Sequence, residues 1–298
     1  MIRIVTDSTS DLSRERREEL NIESLPLSVH FGEETFRDGV DITNREFYER
    51  LARVETLPTT AQVNPEEFAA LFRKYLDQGD EVVGIFISGA MSGTCQSAAI
   101  ARDMVDGEEH IFIVDSHTVT FALGLLVETA VLLRDQGLSA REIAARIEEL
   151  SARTRLLAVV DTLKYLKMGG RIRAATAVVG GLLGISPIIT IENGLVESIG
   201  KARGRKAAFQ WIERRMESEQ PDLSLPVSFG HSNSPEAMAE CQAYFADKVA
   251  GAAVLGMDIG SGHSCGARRD RNCLLCKGVR TGAEPHVPTT PRAYAPKP

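Results

Sequence analysis

The sequence predicts an α/β fold of two domains. The first domain is a parallel sheet with flanking helices, and the second is a mixed, partly antiparallel sheet with helices. The chain has 298 residues, of which 43% are hydrophobic, enough for two cores. Apolar runs alternate with helix-start signals in the first half, as is typical of a parallel sheet. Further on, Asn193-Gly194 separates two β-like runs, which indicates a hairpin.

Short apolar runs predict the strands of the first domain. They lie at residues 2–5, 24–31, 81–87 and 110–114. Three helix starts are predicted because a hydroxyl, amide or carboxylate side chain can bond the free backbone amides of a first turn. These starts are Thr43 with Glu46, Asn64 followed by Pro65, and Ser139 with Glu142. We place this domain at residues 1–152.

The second domain is predicted at residues 153–261. Its strands are expected at residues 156–160, 188–192, 195–199, 226–230 and 253–259, with a helix at 235–249. From residue 262 the sequence is locally basic, then rich in proline, and has no apolar period. We therefore predict an aberrant, disordered tail without a strand at residues 262–298.

Charge and composition exclude several classes of protein. Acids outnumber bases 41 to 34, so the net charge is −7, which argues against binding to nucleic acid or to anionic lipid. Five cysteines without a disulfide pattern, and no long apolar run at the start, favour the cytoplasm. The uncharged run at 174–191 reaches the length of a membrane span. Its glycines and Pro187 break that run, so no membrane segment is expected.

Residues 85–97 form the first segment with chemical potential. An apolar strand ends in a Gly/Ser loop that contains Ser92 and opens a helix, so free amides and hydroxyls are expected to point outward and to favour an anion. An ordinary helix cap explains the same residues equally well. A small-molecule kinase or another phosphate-handling enzyme using this loop is the alternative function. No phosphate-binding P-loop or dinucleotide motif is present.

Other polar clusters have weaker signals. Residues 58–62, with two threonines and a glutamine, are by themselves best interpreted as a solvated loop. The pairs at 7–8 and 115–116 are best interpreted as helix caps. A hydrolase triad of Ser92, Asp115 and His117 is a minor alternative, since no histidine spacing demands it. A zinc site is another minor alternative, because one C-x-x-C is weak evidence; its ligands would be His263, Cys265, Cys273 and Cys276. No metal or cofactor is expected.

An ordered set of motifs resembles the DegV family of bacterial fatty-acid-binding proteins. The likeness runs from Met1 to about Ser261, and although each motif is weak, the order is specific. The motifs lie at residues 6–12, 58–62, 92–98, 114–116, 161–166 and 169–172. Two residues depart from the family pattern: Ala61 and Val63 replace the usual serine and proline, so one hydroxyl is missing.

The resemblance implies a non-enzymatic function. A long-chain fatty acid would lie between the two domains, with its carboxylate held by Thr60 and Ser92. Family members present this ligand to an ATP-dependent fatty acid kinase that forms acyl phosphate. Arg171 and Arg203 match the basic residues expected to dock that kinase.

The tail departs from the family more seriously. The usual ending, Gly-Thr-His-x-Gly-Pro-Gly followed by an apolar strand, is absent. Residues 262–277 can be back-translated into codons that also contain the family ending. Read one base later, those codons give Gly-Thr-His-Val-Gly-Pro-Gly-Ala-Ile-Gly-Ile-Ala-Tyr-Phe-Ala. We interpret this as a frameshift near Ser261, which would make the zinc-like cysteines accidental.

Overall fold

The computed structural model describes residues 1–173, 184–258 and 272–278. Its first sheet is parallel and has four strands. These are β1 (Ile2–Asp7), β2 (Ile22–Leu25), β6 (Glu81–Phe86) and β7 (Ile111–Asp115). Their order in the sheet is β2-β1-β6-β7. The predicted parallel sheet of the first half is therefore confirmed.

Helices cover both faces of this parallel sheet. They are α3 (Pro65–Leu76) and α4 (Thr94–Met104) on one face, and α5 (Thr120–Asp135) and α6 (Ala140–Arg153) on the other. Alternate strand residues point to opposite faces. Ile4 thus belongs to the core with α5 and α6, while Val5 packs with α3 and α4. A shorter helix, α1 (Arg14–Leu20), links β1 to β2.

A small antiparallel sheet stands beside the parallel one. Its strands are β3 (Ser28–Phe31), β4 (Glu34–Arg37) and β5 (Thr59–Ala61), in the order β4-β3-β5. Helix α2 (Asn44–Leu51) shares a small core with them. The prediction of one strand at 24–31 was wrong, because the chain leaves the parallel sheet at Pro26, which has no N–H for a ladder. Beyond it, the Leu27 amide donates to Ser8 Oγ over 3.1 Å.

The second large sheet is mixed and has six strands. They are β8 (Thr154–Val159), β9 (Ile185–Glu192), β10 (Leu195–Arg203), β11 (Val227–Ser232), β12 (Val254–Asp258) and β13 (Asn272–Gly278). The order is β10-β9-β8-β13-β11-β12, and only the β11–β12 pair is parallel. The predicted hairpin is confirmed, with positive φ at both Asn193 and Gly194.

Helix α5 joins the two large sheets into one core. Its apolar residues pack on the parallel sheet and on one face of the six-stranded sheet. At the second contact, a Cβ on Gly230 would come within 2.8 Å of the Phe121 ring. A short helix, α7 (Lys164–Gly169), follows β8. The outer face of the six-stranded sheet is covered by α8 (Arg205–Glu219) and α9 (Pro235–Phe245). The domain boundary at residue 152 stays a prediction.

Strand β13 corrects the expectation for the tail. It pairs antiparallel with β8 on one side and β11 on the other. The expectation that no strand follows residue 262 is therefore wrong at residues 272–278. Four successive apolar residues, Cys273 to Cys276, suit a short strand, and the ladder uses backbone groups that any sequence supplies. The rest of the predicted tail lies outside the described residues.

The predicted helix starts are confirmed in atomic detail. Thr43 with Glu46 and Ser139 with Glu142 each form a complete capping box. Asn64 accepts a backbone amide in front of Pro65. In the part of the chain that the structure describes, no helix has the length and apolar character needed to cross a membrane. Half of the uncharged run at 174–191 falls outside that part, and the other half enters β9.

Candidate functional site

The strand order defines a switch point in the parallel sheet. Chain connections leave β1 toward β2 on one side, and the later strand β6 lies on the other. In open α/β sheets, ligands bind at the carboxyl ends of the strands where this order reverses. Here Asp7 ends β1, and the loop at residues 88–92 follows β6. This edge therefore contains two of the polar clusters that the sequence singled out.

Asp7 is wholly buried and links the two strand ends. Its carboxylate accepts the amides of Thr9 and Ile87, each over 2.9 Å, and also the Thr9 hydroxyl. Burial is the main cause that raises the pKa of Asp7 to about 6, against these hydrogen bonds. Asp7 caps the single turn of 3₁₀ helix at Ser8–Ser10, as predicted.

The loop at residues 88–92 is held by backbone hydrogen bonds, one to a neighbouring segment and one within the loop. The Ser88 amide donates to the Thr118 carbonyl over 2.9 Å, and the Ser92 amide donates to the Ser88 carbonyl over 3.1 Å. The Ser92 side chain is half-buried at the start of α4. Its Oγ lies 2.9 Å from Thr94 Oγ1 and accepts the Thr94 amide over 3.3 Å. Ser92 thus presents a hydroxyl at the positive end of a helix.

Asp115 shapes the same loop from the neighbouring strand. It accepts the Gly89 amide over 3.1 Å and the His117 amide over 2.8 Å. Gly89 approaches so closely that a Cβ there would lie 2.8 Å from the carboxylate. The prediction that Asp115 caps a helix was wrong, because its acceptors serve a turn and a loop. The triad alternative gains no support either, since the Ser92 hydroxyl bonds Thr94 rather than an imidazole.

Thr60 lies in the edge strand β5 of the small sheet. It is paired with Val29 of β3, and its side chain is half-buried. The interpretation of residues 58–62 as a solvated loop was therefore wrong. Local sequence could not reveal this strand, because three residues carry too little β pattern and their partner is 30 residues away.

Gln62 brings the Thr60 and Ser92 segments together. Its Nε2 donates to Ser97 Oγ on α4 over 2.8 Å. Its amide also lies against Gly93, where a Cβ would clash with Gln62 Oε1. Sequence reasoning noted this glutamine but not its contact. The start of α4, the Ser92 and Thr94 hydroxyls, and Gln62 therefore form one group of neighbouring polar residues, here called the Ser92 cluster.

The two predicted docking arginines lie far apart. Arg171 is exposed; its Nε donates to the Met91 carbonyl over 3.3 Å and its Nη1 to the Gly169 carbonyl over 2.7 Å. Arg203 is exposed at the far end of β10. The Arg171 carbonyl accepts the Val196 amide, and the seven residues from there to Arg203 span roughly 23 Å of strand. Arg171 thus lies beside the Ser92 loop, and Arg203 does not.

The zinc alternative lies outside the described side chains. His263 and Cys265 fall outside the described residues, and for Cys273 and Cys276 only the backbone of β13 is described. Cys95, at the start of α4, is partly buried, and burial raises the pKa of its thiol to about 12. A thiol that stays protonated in this way is a poor nucleophile and a poor metal ligand.

This is an α/β protein in which a parallel and a mixed sheet share one central helix, with the Ser92 cluster at the switch point of the parallel sheet. The chain belongs to the DegV family: the family model described as "Uncharacterised protein, DegV family" matches residues 1–265. A DegV domain-containing protein of Caldanaerobacter subterraneus subsp. tengcongensis is 38% identical over 243 residues, which cover 81% of this chain and 86% of that protein.

Solved structures of similar proteins agree with this fold. One, described as showing fatty acid binding of a DegV family protein from Thermus thermophilus, has a TM-score of 0.84 and 31% identity, covering 93% of this chain and 99% of that chain. Another is a stearic acid-binding protein from Eubacterium ventriosum, with a TM-score of 0.82 and 29% identity, covering 93% and 98%. Those two proteins bind fatty acids.

Proposed function

We propose that this protein binds a long-chain fatty acid, with the carboxylate held by Thr60 and Ser92. The observation that carries the proposal is the contact of Gln62 with Gly93 and Ser97, which ties the Thr60 strand to the helix start that bears Ser92. Its support from relatives is that similar proteins of known structure bind fatty acids.

The chemistry of the Ser92 cluster and Thr60 suits a carboxylate. An unpaired buried carboxylate is costly, but hydroxyls and helix N-terminal amides can offset that cost without a cation. Neither the Thr60 segment nor the Ser92 segment contains a basic residue. Burial of ~14 methylenes at ~0.8 kcal/mol each would contribute on the order of 11 kcal/mol before ordering costs. Most of the affinity would therefore come from the acyl chain, and the hydroxyls would fix the head group.

Thr60→Ala and Ser92→Ala test the head-group assignment. Each removes one hydrogen bond to a charged group, so each should weaken stearic acid binding by about 1.5–3 kcal/mol, which is roughly 10- to 150-fold in Kd. Titration of the delipidated protein measures this. Thr59→Ala is the matched control, since Thr59 is exposed on the same strand. Wild-type affinity in both site variants would overturn the assignment.

We further propose that the protein is a cytoplasmic, non-enzymatic carrier that presents the fatty acid to an ATP-dependent kinase. Arg171 and Arg203 are the proposed docking residues. Mass spectrometry of lipid extracted from the purified protein tests fatty acid binding directly. ATP turnover or phosphotransfer by the chain alone would instead favour the phosphate-handling alternative.

Arg203→Ala tests the docking step by itself. Arg203 is exposed and distant from the Ser92 loop, so its loss should leave stearic acid affinity unchanged and reduce acyl-phosphate formation by the cognate kinase about tenfold. Lys201→Ala, two residues earlier on the same strand, is the matched control for charge. Equal rates for Arg203→Ala and wild type would mean that Arg203 is an ordinary solvated charge.

A further inference from the structure

The loop that ends at Ser92 is held from two sides. On the side of the parallel sheet, the Thr118 carbonyl accepts the Ser88 amide and Asp115 accepts the Gly89 amide. On the other side, the end of the β9–β10 hairpin touches the loop. Ser88 Oγ, which is fully buried, donates to the Gly194 carbonyl over 2.8 Å.

Gly194 fits this contact because it has no side chain. Its φ is +74°, and a Cβ there would clash with Ser88 Oγ and lie 3.1 Å from the Ala90 Cβ. The turn residue of one sheet thus rests directly on the loop of the other. A hairpin turn favours glycine or asparagine at this φ, but the turn itself does not require that the space for a Cβ be filled. At Gly194 that space is filled by the loop.

Arg171 makes a second contact with the same loop. Its Nε donates to the Met91 carbonyl, one residue before Ser92. Its backbone is bonded to the start of β10: the Val196 amide donates to the Arg171 carbonyl over 3.1 Å, and the Arg173 amide donates to the Val196 carbonyl over 2.9 Å. Gly194 and Arg171 therefore belong to one hydrogen-bonded unit that touches both ends of the loop.

We propose that this unit is a clamp, in which Gly194, Ser88 and Arg171 are positioning residues that fix the Ser92 hydroxyl for the carboxylate of a bound fatty acid. The inference rests on the proposed function. Its consequence is that the six-stranded sheet sets how long the head group stays bound. Docking through charge alone would need the Arg171 cation but not its bond to Met91.

The test measures dissociation of labelled stearic acid from the full chain into phosphatidylcholine vesicles, with urea unfolding in parallel. Ser88→Ala removes the bond to the Gly194 carbonyl, and with it the acceptor of the Ala90 amide inside the loop, and should speed dissociation about tenfold. Arg171→Lys keeps the charge but loses the Nε–H, and Arg171→Met loses both, so both variants should speed dissociation. A docking role alone would leave both at the wild-type rate, because no kinase is present in this assay.

Gly194→Ala is compared with Gly204→Ala. Both glycines have φ near +75°, but nothing lies within 4 Å of a Cβ on Gly204. Gly204 also has ψ 163°, so its alanine variant carries backbone strain without a clash, and only Gly194→Ala should speed dissociation. Adding Ser88→Ala to Gly194→Ala removes the clashing hydroxyl, so the double variant should dissociate no faster than Ser88→Ala alone.

Dissociation within twofold of wild type for Ser88→Ala and Arg171→Lys, alongside weakened binding in Thr60→Ala, would overturn the clamp and keep the proposed function. Unchanged binding in Thr60→Ala and Ser92→Ala would overturn the head-group site, and the clamp with it. Equal acceleration by Gly194→Ala and Gly204→Ala would assign the effect to backbone strain and also overturn the clamp.

Discussion

Asp7 shows how a single buried carboxylate can organise one edge of a sheet. Its carboxylate accepts backbone amides from the ends of two strands, so it fixes where those strands release the chain. The opposing cost is desolvation, which is the largest influence on its pKa and raises it. Asp7 therefore fixes the geometry at the switch point, but its burial lowers the stability of the protein at neutral pH.

The raised pKa of Asp7 predicts that the stability of the protein depends on pH. The pKa of Asp7 is about 6 in the folded protein and about 3.8 when unfolded, so between these values the folded state holds a proton that the unfolded state has released. The contribution of Asp7 to the free energy of unfolding should fall as pH rises from about 4 to 6, by roughly 3 kcal/mol, and then level off.

Urea unfolding of wild type and Asp7→Asn at pH 4, 5, 6 and 7 measures this contribution. Other carboxyl groups titrate in the same range, so the difference between the two proteins is the relevant quantity. Asn cannot ionise, so wild type should lose stability relative to the variant across this range. Parallel curves for the two proteins would show that Asp7 does not titrate there.

At the scale of elements, the sequence predicted best where the signal is local. The capping boxes at Thr43 and Ser139 are formed within four residues, and the structure contains both. The Asn193-Gly194 turn depends only on two residues that tolerate positive φ, and it too is present. In each case the residues that form the structure lie inside the pattern, so the sequence alone contains the signal.

Elements defined by distant partners were missed. Strand β5 has three residues and exists because Val29 and its neighbours pair with it. Strand β13 fills a place between β8 and β11, which are distant in sequence from each other and from it. Short strands take their stability from such partners rather than from their own propensity, so composition alone argued for loops.

At the scale of the whole molecule, the candidate site depends on contacts that no local pattern encodes. Thr60 and Ser92 could be proposed from a resemblance, but the role of Gln62 follows only from its approach to Gly93. The bond from Ser88 to Gly194 joins residues 106 positions apart. The sequence alone identifies the polar segments, and the tertiary packing decides which of them meet.

Pairing with distant strands also explains why the tail still supplies a strand. In the shifted reading of the assumed codons, residues 272–276 would be Ile-Ala-Tyr-Phe-Ala, whereas this chain has Asn-Cys-Leu-Leu-Cys. Both are mainly apolar, so both can pair between β8 and β11. Just before them, however, this chain has three arginines and an aspartate at 268–271, where the shifted reading has Gly-Ala-Ile-Gly.

We therefore predict that a chain carrying the shifted ending from residue 262 is more stable and binds stearic acid more tightly. The shifted ending puts isoleucine at position 272 of a strand that pairs on both sides, and burial of one such side chain would add about 2 kcal/mol to the free energy of unfolding. A chain that ends at Ser261 is the control: it leaves the edges of β8 and β11 unpaired and should be the least stable of the three. If the present ending equals or exceeds the shifted one in urea unfolding, or if the coding DNA differs from the assumed codons, the frameshift interpretation is wrong.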